Sequence, residues 1–238
     1  MISIGLYGDS FTGVNEQSSM KYHWSTAIAN ELECTVVNYG APGSSIYYSY
    51  KKFVDTHQNQ DLNIFLITDP HRYIKPILLN NAHTFVPNIL YLDHVLDKLD
   101  KESHRDLRGW FMCSDGEHTL DMIELMLEKI RLLDSNVIFL GSCFSAIDSH
   151  HIAKKFGLPK YSLFDIQKYM FKLLNIREYE MHRYLRHESD DLISGHLTPE
   201  INEIVANVIL DRMNSGVWNW DLPKTVNFKH NKKDYWNI

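Results

Sequence analysis

The sequence predicts an α/β fold of three layers, with a central parallel sheet between two layers of helices. Short apolar runs of strand length alternate along the chain with longer segments whose apolar residues recur at helical spacing. The chain has 238 residues, 44% of them hydrophobic, and is long enough to bury a full core. Because alternating strands and helices pack as parallel sheets, we expect one domain over residues 1–216, followed by a tail over residues 217–238.

The first half of the chain contains three predicted strands and two predicted helices. Each strand is a short apolar run, and the three runs span residues 2–7, 34–38 and 62–68. Between the first two runs, Trp24, Ile28 and Leu32 fall on one face of a helix predicted over 18–32. A second helix is predicted over 44–57, directly before the third run.

The second half contains a fourth strand and two further helices. Apolar residues at helical spacing predict a long helix over 117–133, and the apolar run at 136–141 predicts the fourth strand. A last helix is predicted over 199–213. Thr198 stands at its N-cap and Pro199 at its first position, where these residue types are favoured.

A long insertion separates the third strand from the helix that follows it. It spans about residues 70–116, and within it the apolar residues of 89–101 recur with a helical period. Segments of this length inside a compact domain are usually functional caps or binding loops. We therefore expect the insertion to cover the functional edge of the sheet, with a peripheral packing element as the alternative.

Ser10 is the candidate nucleophile. It belongs to the tetrapeptide Gly8-Asp9-Ser10-Phe11, which follows the first predicted strand at the edge where open α/β sheets bind ligands. A serine hydroxyl needs a base within hydrogen-bond reach and oriented N–H donors for the oxyanion. His196 precedes the last predicted helix and would stand at the same edge, so this pair predicts ester hydrolysis. The alternative is ordinary turn or N-cap chemistry, in which Asp-Ser after a strand is common.

Two further segments accompany this tetrapeptide in order along the chain. They are Asn-Tyr-Gly-Ala-Pro-Gly-Ser-Ser at 38–45 and Gly-His-Leu-Thr-Pro-Glu at 195–200. Together the three segments resemble the sequence blocks of the SGNH hydrolases, also called the GDSL esterase/lipase family. The resemblance implies an α/β/α fold of flavodoxin-like type, Ser10 as nucleophile and His196 as base. It also implies an oxyanion hole formed by the backbone N–H groups of Ser10 and Gly43.

The third block of that family differs in this chain. Its usual Gly-x-Asn-Asp would fall at residues 66–72, where no asparagine occurs. A lost side-chain donor of this kind typically costs about 10²–10³ in rate. A replacement donor could come from the same strand end, from Thr68, His71 or Arg72.

The acid of the triad also differs. In the family it stands three residues before the histidine, and this position is Ile193. Asp191 or Asp190, slightly further upstream, could approach the ring instead. The alternative is a Ser-His dyad in which a main-chain carbonyl orients the imidazole, with weaker control over its tautomer.

Charge and composition exclude several other classes of function. A formal net charge of −6 argues against a nucleic-acid partner, and the lysines of the tail are interpreted as a solvated segment. The 13 histidines are scattered rather than spaced as ligands, so we predict no metal site and no cofactor. Three cysteines without paired spacing predict no disulfide framework.

The same features predict where the protein acts. The first strand begins at once, without a charged leader and cleavage site, and no apolar run is long enough to cross a bilayer. We therefore expect a cytoplasmic protein with no membrane partner. The aromatic residues of the tail could pack on the body of the domain or support a homo-oligomer.

The sequence as a whole predicts a serine esterase that hydrolyses a short-chain or carbohydrate-linked ester through an acyl-enzyme, with a deacetylase as one form. The expected partner is therefore a small-molecule or glycan ester. Two alternatives stay open. One is a non-catalytic module of the same fold that binds a glycan or a protein, and the other is an acyltransferase, which shares the first half-reaction.

Overall fold

A computed structural model describes residues 2–12, 21–42, 44–68, 116–144, 150–177, 196–221, 223–229 and 235. Within these residues the chain forms a four-stranded parallel sheet in the order β2-β1-β3-β4. Its strands are β1 (Ser3–Tyr7), β2 (Thr35–Asn38), β3 (Leu62–Ile67) and β4 (Ile138–Gly141). This order is that of flavodoxin-like doubly wound folds.

The register of the strands decides which residues meet at the carboxyl edge of the sheet. Tyr7 pairs with Phe65, and Ile67 pairs with Gly141. The residues that follow β1, β3 and β4 therefore emerge side by side. This edge is where the functional site is expected.

Helices cover both faces of the sheet and confirm the predicted three-layer architecture. They are α1 (Trp24–Glu31), α2 (Ile46–Thr56), α3 (Gly116–Leu133), α4 (His150–Phe156), α5 (Leu163–Leu173) and α6 (Pro199–Ser215). Buried residues of α1, α5 and α6 form one core with alternate strand residues such as Leu6 and Ile64. Those of α2, α3 and α4 form the other core with Tyr7 and Phe65.

Burial on both faces explains why β3 is almost continuously apolar. In β3, the side chains of Ile64 and Leu66 face one core, and those of Phe65 and Ile67 face the other. All four side chains are fully buried. A strand that is covered on both faces has no polar side, as is usual for parallel sheets.

The predicted start of the first helix is wrong. Residues 21–22 form a 3-10 turn, and α1 begins only at Trp24. The reason is that His23 acts as the N-cap, with its ring accepting a hydrogen bond from the backbone N–H of Ser25. An N-cap residue has an extended backbone, so the helix cannot include it.

Two helices, α4 and α5, were not predicted. The sequence did contain a local signal for α5, because the Ser162 side chain accepts from the backbone N–H of Asp165 and the Asp165 side chain accepts from that of Ser162. This reciprocal pair is a capping box. At α6 the expected Thr198 is the N-cap and Pro199 lies in the first turn, although the Thr198 hydroxyl makes no capping hydrogen bond.

The described part of the C-terminal tail packs on the body of the domain. Tyr235 is fully buried, and its hydroxyl lies 3.0 Å from both carboxylate oxygens of Glu200 in α6. The backbone N–H of Lys229 donates to the same carboxylate at 3.0 Å. The tail is thereby attached to the first turn of the helix that follows His196.

The insertion predicted at about 70–116 lies almost entirely outside the described residues.

Among the helices that the structure does describe, none combines the length and the apolar character needed to span a bilayer.

Candidate active site

Ser10 lies in a turn directly after β1, at the carboxyl edge of the sheet. The turn is closed by the N–H of Thr12, which donates to the Asp9 carbonyl at 3.0 Å. Ser10 is half-buried. Within the described part of the chain, neither its hydroxyl nor its backbone N–H makes a hydrogen bond, while every neighbour from Gly8 to Thr12 does.

Asp9 holds three strand ends together beneath this turn. Its carboxylate is fully buried, and one oxygen accepts from the N–H of Phe11 at 3.1 Å. The other oxygen accepts from the hydroxyls of Thr68 and Ser142, each at 2.6 Å. Thr68 follows β3 and Ser142 follows β4, so one carboxylate ties the turn that contains Ser10 to both strands. Hydrogen bonds to a charged group contribute about 1.5–3 kcal/mol each.

The segment after β2 supports the turn from the other side. The Gly8 carbonyl accepts from the N–H of Ala41 at 3.1 Å and from the hydroxyl of Ser44 at 2.8 Å. The Asn38 amide donates to the Thr12 carbonyl. Two segments predicted to belong to one site, residues 8–11 and 38–45, are therefore in direct contact.

Gly40 is required by the closeness of this contact. A Cβ atom added at Gly40 would lie 1.9 Å from the Thr12 hydroxyl oxygen, which is far inside van der Waals contact. The N–H of Gly40 also donates to the Asn38 side-chain oxygen at 2.9 Å. A larger residue at this position would push the second segment away from the turn that contains Ser10.

The Phe11 carbonyl is fixed by two ring donors from the start of α1. His23 Nε2 lies 3.0 Å from this oxygen, and so does Trp24 Nε1. Because a carbonyl can only accept, Nε2 of His23 carries the hydrogen. Nδ1 is then the acceptor for the Ser25 hydroxyl at 2.6 Å. Burial lowers the pKa of His23 to about 4, so the ring is neutral at physiological pH.

His196 approaches the turn that contains Ser10 from the loop before α6. Its ring lies edge-on to the Phe11 ring, with the centroids 5.1 Å apart and the planes at 69°. Its backbone is left-handed, with φ of 66°, and its carbonyl accepts from the Gln167 side chain at 3.1 Å. The structure thus brings His196 to the residue next to Ser10, but it contains no hydrogen bond between Ser10 and His196.

The remaining predicted site residues are placed as follows. The Thr68 hydroxyl, one candidate for the third oxyanion donor, gives its hydrogen to Asp9 in this structure. The other candidates lie outside the described residues, namely Gly43, His71, Arg72, Asp190 and Asp191.

Sequence reasoning missed three residues that support the site, namely Asp9, His23 and Ser142. Asp9 belongs to the same tetrapeptide as Ser10, but its position in the sequence indicates only a turn or cap role. His23 and Ser142 carry no motif, and neither could have been found without the fold. All three are almost completely buried and act by fixing backbone or carboxylate atoms next to Ser10.

Comparison with known proteins gives matches to solved structures only. No family model matches the chain, and no curated protein matches it. A psychrotrophic esterase EstA from Pseudoalteromonas sp. is 8% identical, with 91% of this chain and 98% of that chain covered and a TM-score of 0.47. A lipase/acylhydrolase from Enterococcus faecalis is 13% identical, with 95% of this chain and 100% of that chain covered and a TM-score of 0.44. A GDSL-like lipase from Parabacteroides merdae is 13% identical, with 90% of this chain and 95% of that chain covered and a TM-score of 0.43.

Proposed function

We propose that this protein is a serine esterase that uses Ser10 as nucleophile and His196 as base. The observation that carries the proposal is the environment of Ser10. Buried hydrogen bonds fix the backbone on both sides of it, while within the described residues its own hydroxyl and N–H are left without a partner. A nucleophile held rigidly and kept available is what acyl transfer requires.

In the proposed mechanism His196 takes the hydroxyl proton as Ser10 Oγ attacks the ester carbonyl carbon. The backbone N–H groups of Ser10 and Gly43 stabilise the oxyanion. The bond to the leaving alcohol then breaks, and His196 returns the proton to that alcohol. Water, activated by the same histidine, attacks the acyl-enzyme and releases the acid and free Ser10.

A modest loop movement must complete this arrangement. The His196 ring contacts Phe11, one residue from the nucleophile, and catalytic hydrogen bonds often tighten only when substrate is bound. Asp190 or Asp191 would orient the far ring nitrogen, or a main-chain carbonyl would do so in a dyad. The proposed substrate is a short-chain or carbohydrate-linked ester, with removal of an acetyl group as one form.

The test is hydrolysis of p-nitrophenyl acetate and butyrate by the wild type, Ser10→Ala and His196→Ala. We expect turnover by the wild type and loss of turnover in both variants, with the fold retained by circular dichroism. A serine-reactive phosphonate should label Ser10 in the wild type only. Labelling without turnover in water would favour the acyltransferase.

The missing Ser10–His196 hydrogen bond favours one other candidate, a non-catalytic module that binds a glycan or a protein. Equal background rates in the wild type and both variants, together with no labelling of Ser10, would refute the esterase and favour this module.

A further inference from the structure

The two halves of the proposed site come from opposite ends of the sequence and must be aligned. The turn that contains Ser10, called the nucleophile turn below, is fixed to the start of α1, because His23 and Trp24 donate to the Phe11 carbonyl. His196 belongs instead to the loop that leads into α6. Whatever joins α1 to this loop determines how the base faces the nucleophile.

Asn202 makes this connection through its side-chain amide. It lies in α6, six residues after His196, and is 1% exposed. Its Oδ1 accepts from the backbone N–H of Trp24 at 3.1 Å, and its Nδ2 donates to the carbonyl of Leu197 at 2.9 Å. One amide group therefore contacts both the helix that holds the nucleophile turn and the residue next to His196.

The backbone of His196 needs such support. A left-handed backbone is unfavourable for any residue other than glycine and persists only when its surroundings hold it there. Here two successive carbonyls are held, that of His196 by Gln167 and that of Leu197 by Asn202. Of these two side chains, only Asn202 has a described hydrogen bond that reaches α1.

We infer that Asn202 is a positioning residue that aligns His196 with Ser10. It does so by joining α1 to the loop that contains His196. This inference rests on the proposed esterase function. The competing explanation is that Asn202 only stabilises the packing of α1 against α6. The two explanations differ in what its loss does to turnover, rather than to stability.

The matched control is Asn63, another buried asparagine whose amide hydrogen bonds lie far from the site. It is 2% exposed and stands near the amino end of β3. Its Nδ2 donates to the Asp134 carboxylate at 2.9 Å and to the His57 carbonyl at 3.2 Å. Asn63→Leu thus removes comparable buried hydrogen bonds at the opposite edge of the sheet.

The experiment compares kcat and KM for p-nitrophenyl acetate in the wild type, Asn202→Leu and Asn63→Leu. Leucine has nearly the shape of asparagine but can neither donate nor accept. We expect Asn202→Leu to lower kcat about 10- to 100-fold with KM nearly unchanged, since misplacing a reacting group by about 1 Å can cost 10² in rate. Asn63→Leu should keep the wild-type kcat. Equal values of kcat in the two variants would overturn the inference.

A smaller variant allows for failure of Asn202→Leu to fold. Asn202→Ala removes both hydrogen bonds without adding an apolar branch, so it should also lower kcat. Asn63→Ala is its control, and the same comparison of kcat decides the outcome.

A second measurement does not depend on turnover. In protein with ¹⁵N-labelled histidine, Asn202→Leu should shift the ring signals of both His196 and His23, whereas Asn63→Leu should leave both in place. If leucine prevents folding, the two alanine variants are compared instead. If the wild type hydrolyses no ester and Ser10 is not labelled, the proposed function fails, and these signals alone decide whether Asn202 joins the two segments. Unchanged ring signals in the Asn202 variant would then refute the connection.

Discussion

Acidification should destabilise this protein through His23, the buried histidine at the start of α1. Burial lowers the pKa of this ring from its ordinary value of 6.5 to about 4. In the unfolded chain the ring returns to its ordinary pKa, so between pH 6.5 and 4 the unfolded state binds a proton that the folded state does not. The stabilising contribution of neutral His23 is therefore complete above pH 6.5 and is lost as the pH falls toward 4.

The size of this loss follows from the two pKa values. Their difference of about 2.5 pH units corresponds to about 3 kcal/mol, at about 1.4 kcal/mol per unit. A loss of this size is a large fraction of the free energy of unfolding of a typical domain, which is about 5–15 kcal/mol. It should therefore be resolved easily by denaturant unfolding.

The assay is urea unfolding of the wild type and His23→Gln between pH 7 and about pH 4. Glutamine can still donate to the Phe11 carbonyl but does not titrate. We expect the stability of the wild type relative to His23→Gln to fall by about 3 kcal/mol over this range. His150→Gln, which removes an exposed histidine, is the control substitution. Parallel pH curves for the wild type and His23→Gln would contradict this prediction.

Three further substitutions test the contacts around the site and the tail, each by urea unfolding. Asp9→Ala removes the carboxylate that accepts from two buried hydroxyls and should lower the free energy of unfolding by about 3 kcal/mol or more, together with most ester turnover; a loss under about 1 kcal/mol would contradict the structure. Gly40→Ala should lower the free energy of unfolding by about 1–3 kcal/mol, because its methyl group would overlap the Thr12 hydroxyl. Adding Thr12→Ala should restore part of this loss. Tyr235→Phe removes the donor to the buried Glu200 carboxylate and should lower the free energy of unfolding by about 1–3 kcal/mol. An unchanged midpoint of urea unfolding would show that the hydrogen bond from Tyr235 contributes nothing to stability.

The strands and most helices were predictable because their signals are local. The runs at 62–68 and 136–141 correspond to β3 and β4 within two residues, and the helix predicted over 44–57 corresponds to α2. The start of α1 was wrong because a histidine N-cap is uncommon and cannot be distinguished from a helical residue by periodicity. Helix α5 was missed although its capping box is a sequence signal.

The site was predictable only in outline. Ser10 and His196 could be placed at one edge of a parallel sheet, because strand ends and loops before helices meet there. Their supporting residues could not be found in this way. His23 has no distinctive spacing, and its role depends on a carbonyl 12 residues earlier in the chain.

The sequence alone predicts the alternation of strands and helices and the position of a serine after the first strand, because these features depend on residues a few positions apart. The parallel sheet follows indirectly, since strands that alternate with helices pack as parallel sheets. The surroundings of that serine depend on the tertiary fold. The Asp9 carboxylate binds hydroxyls 59 and 133 residues away, and Asn202 binds the N–H of a residue 178 positions away. Such contacts depend on strand register and helix packing, which no local pattern specifies.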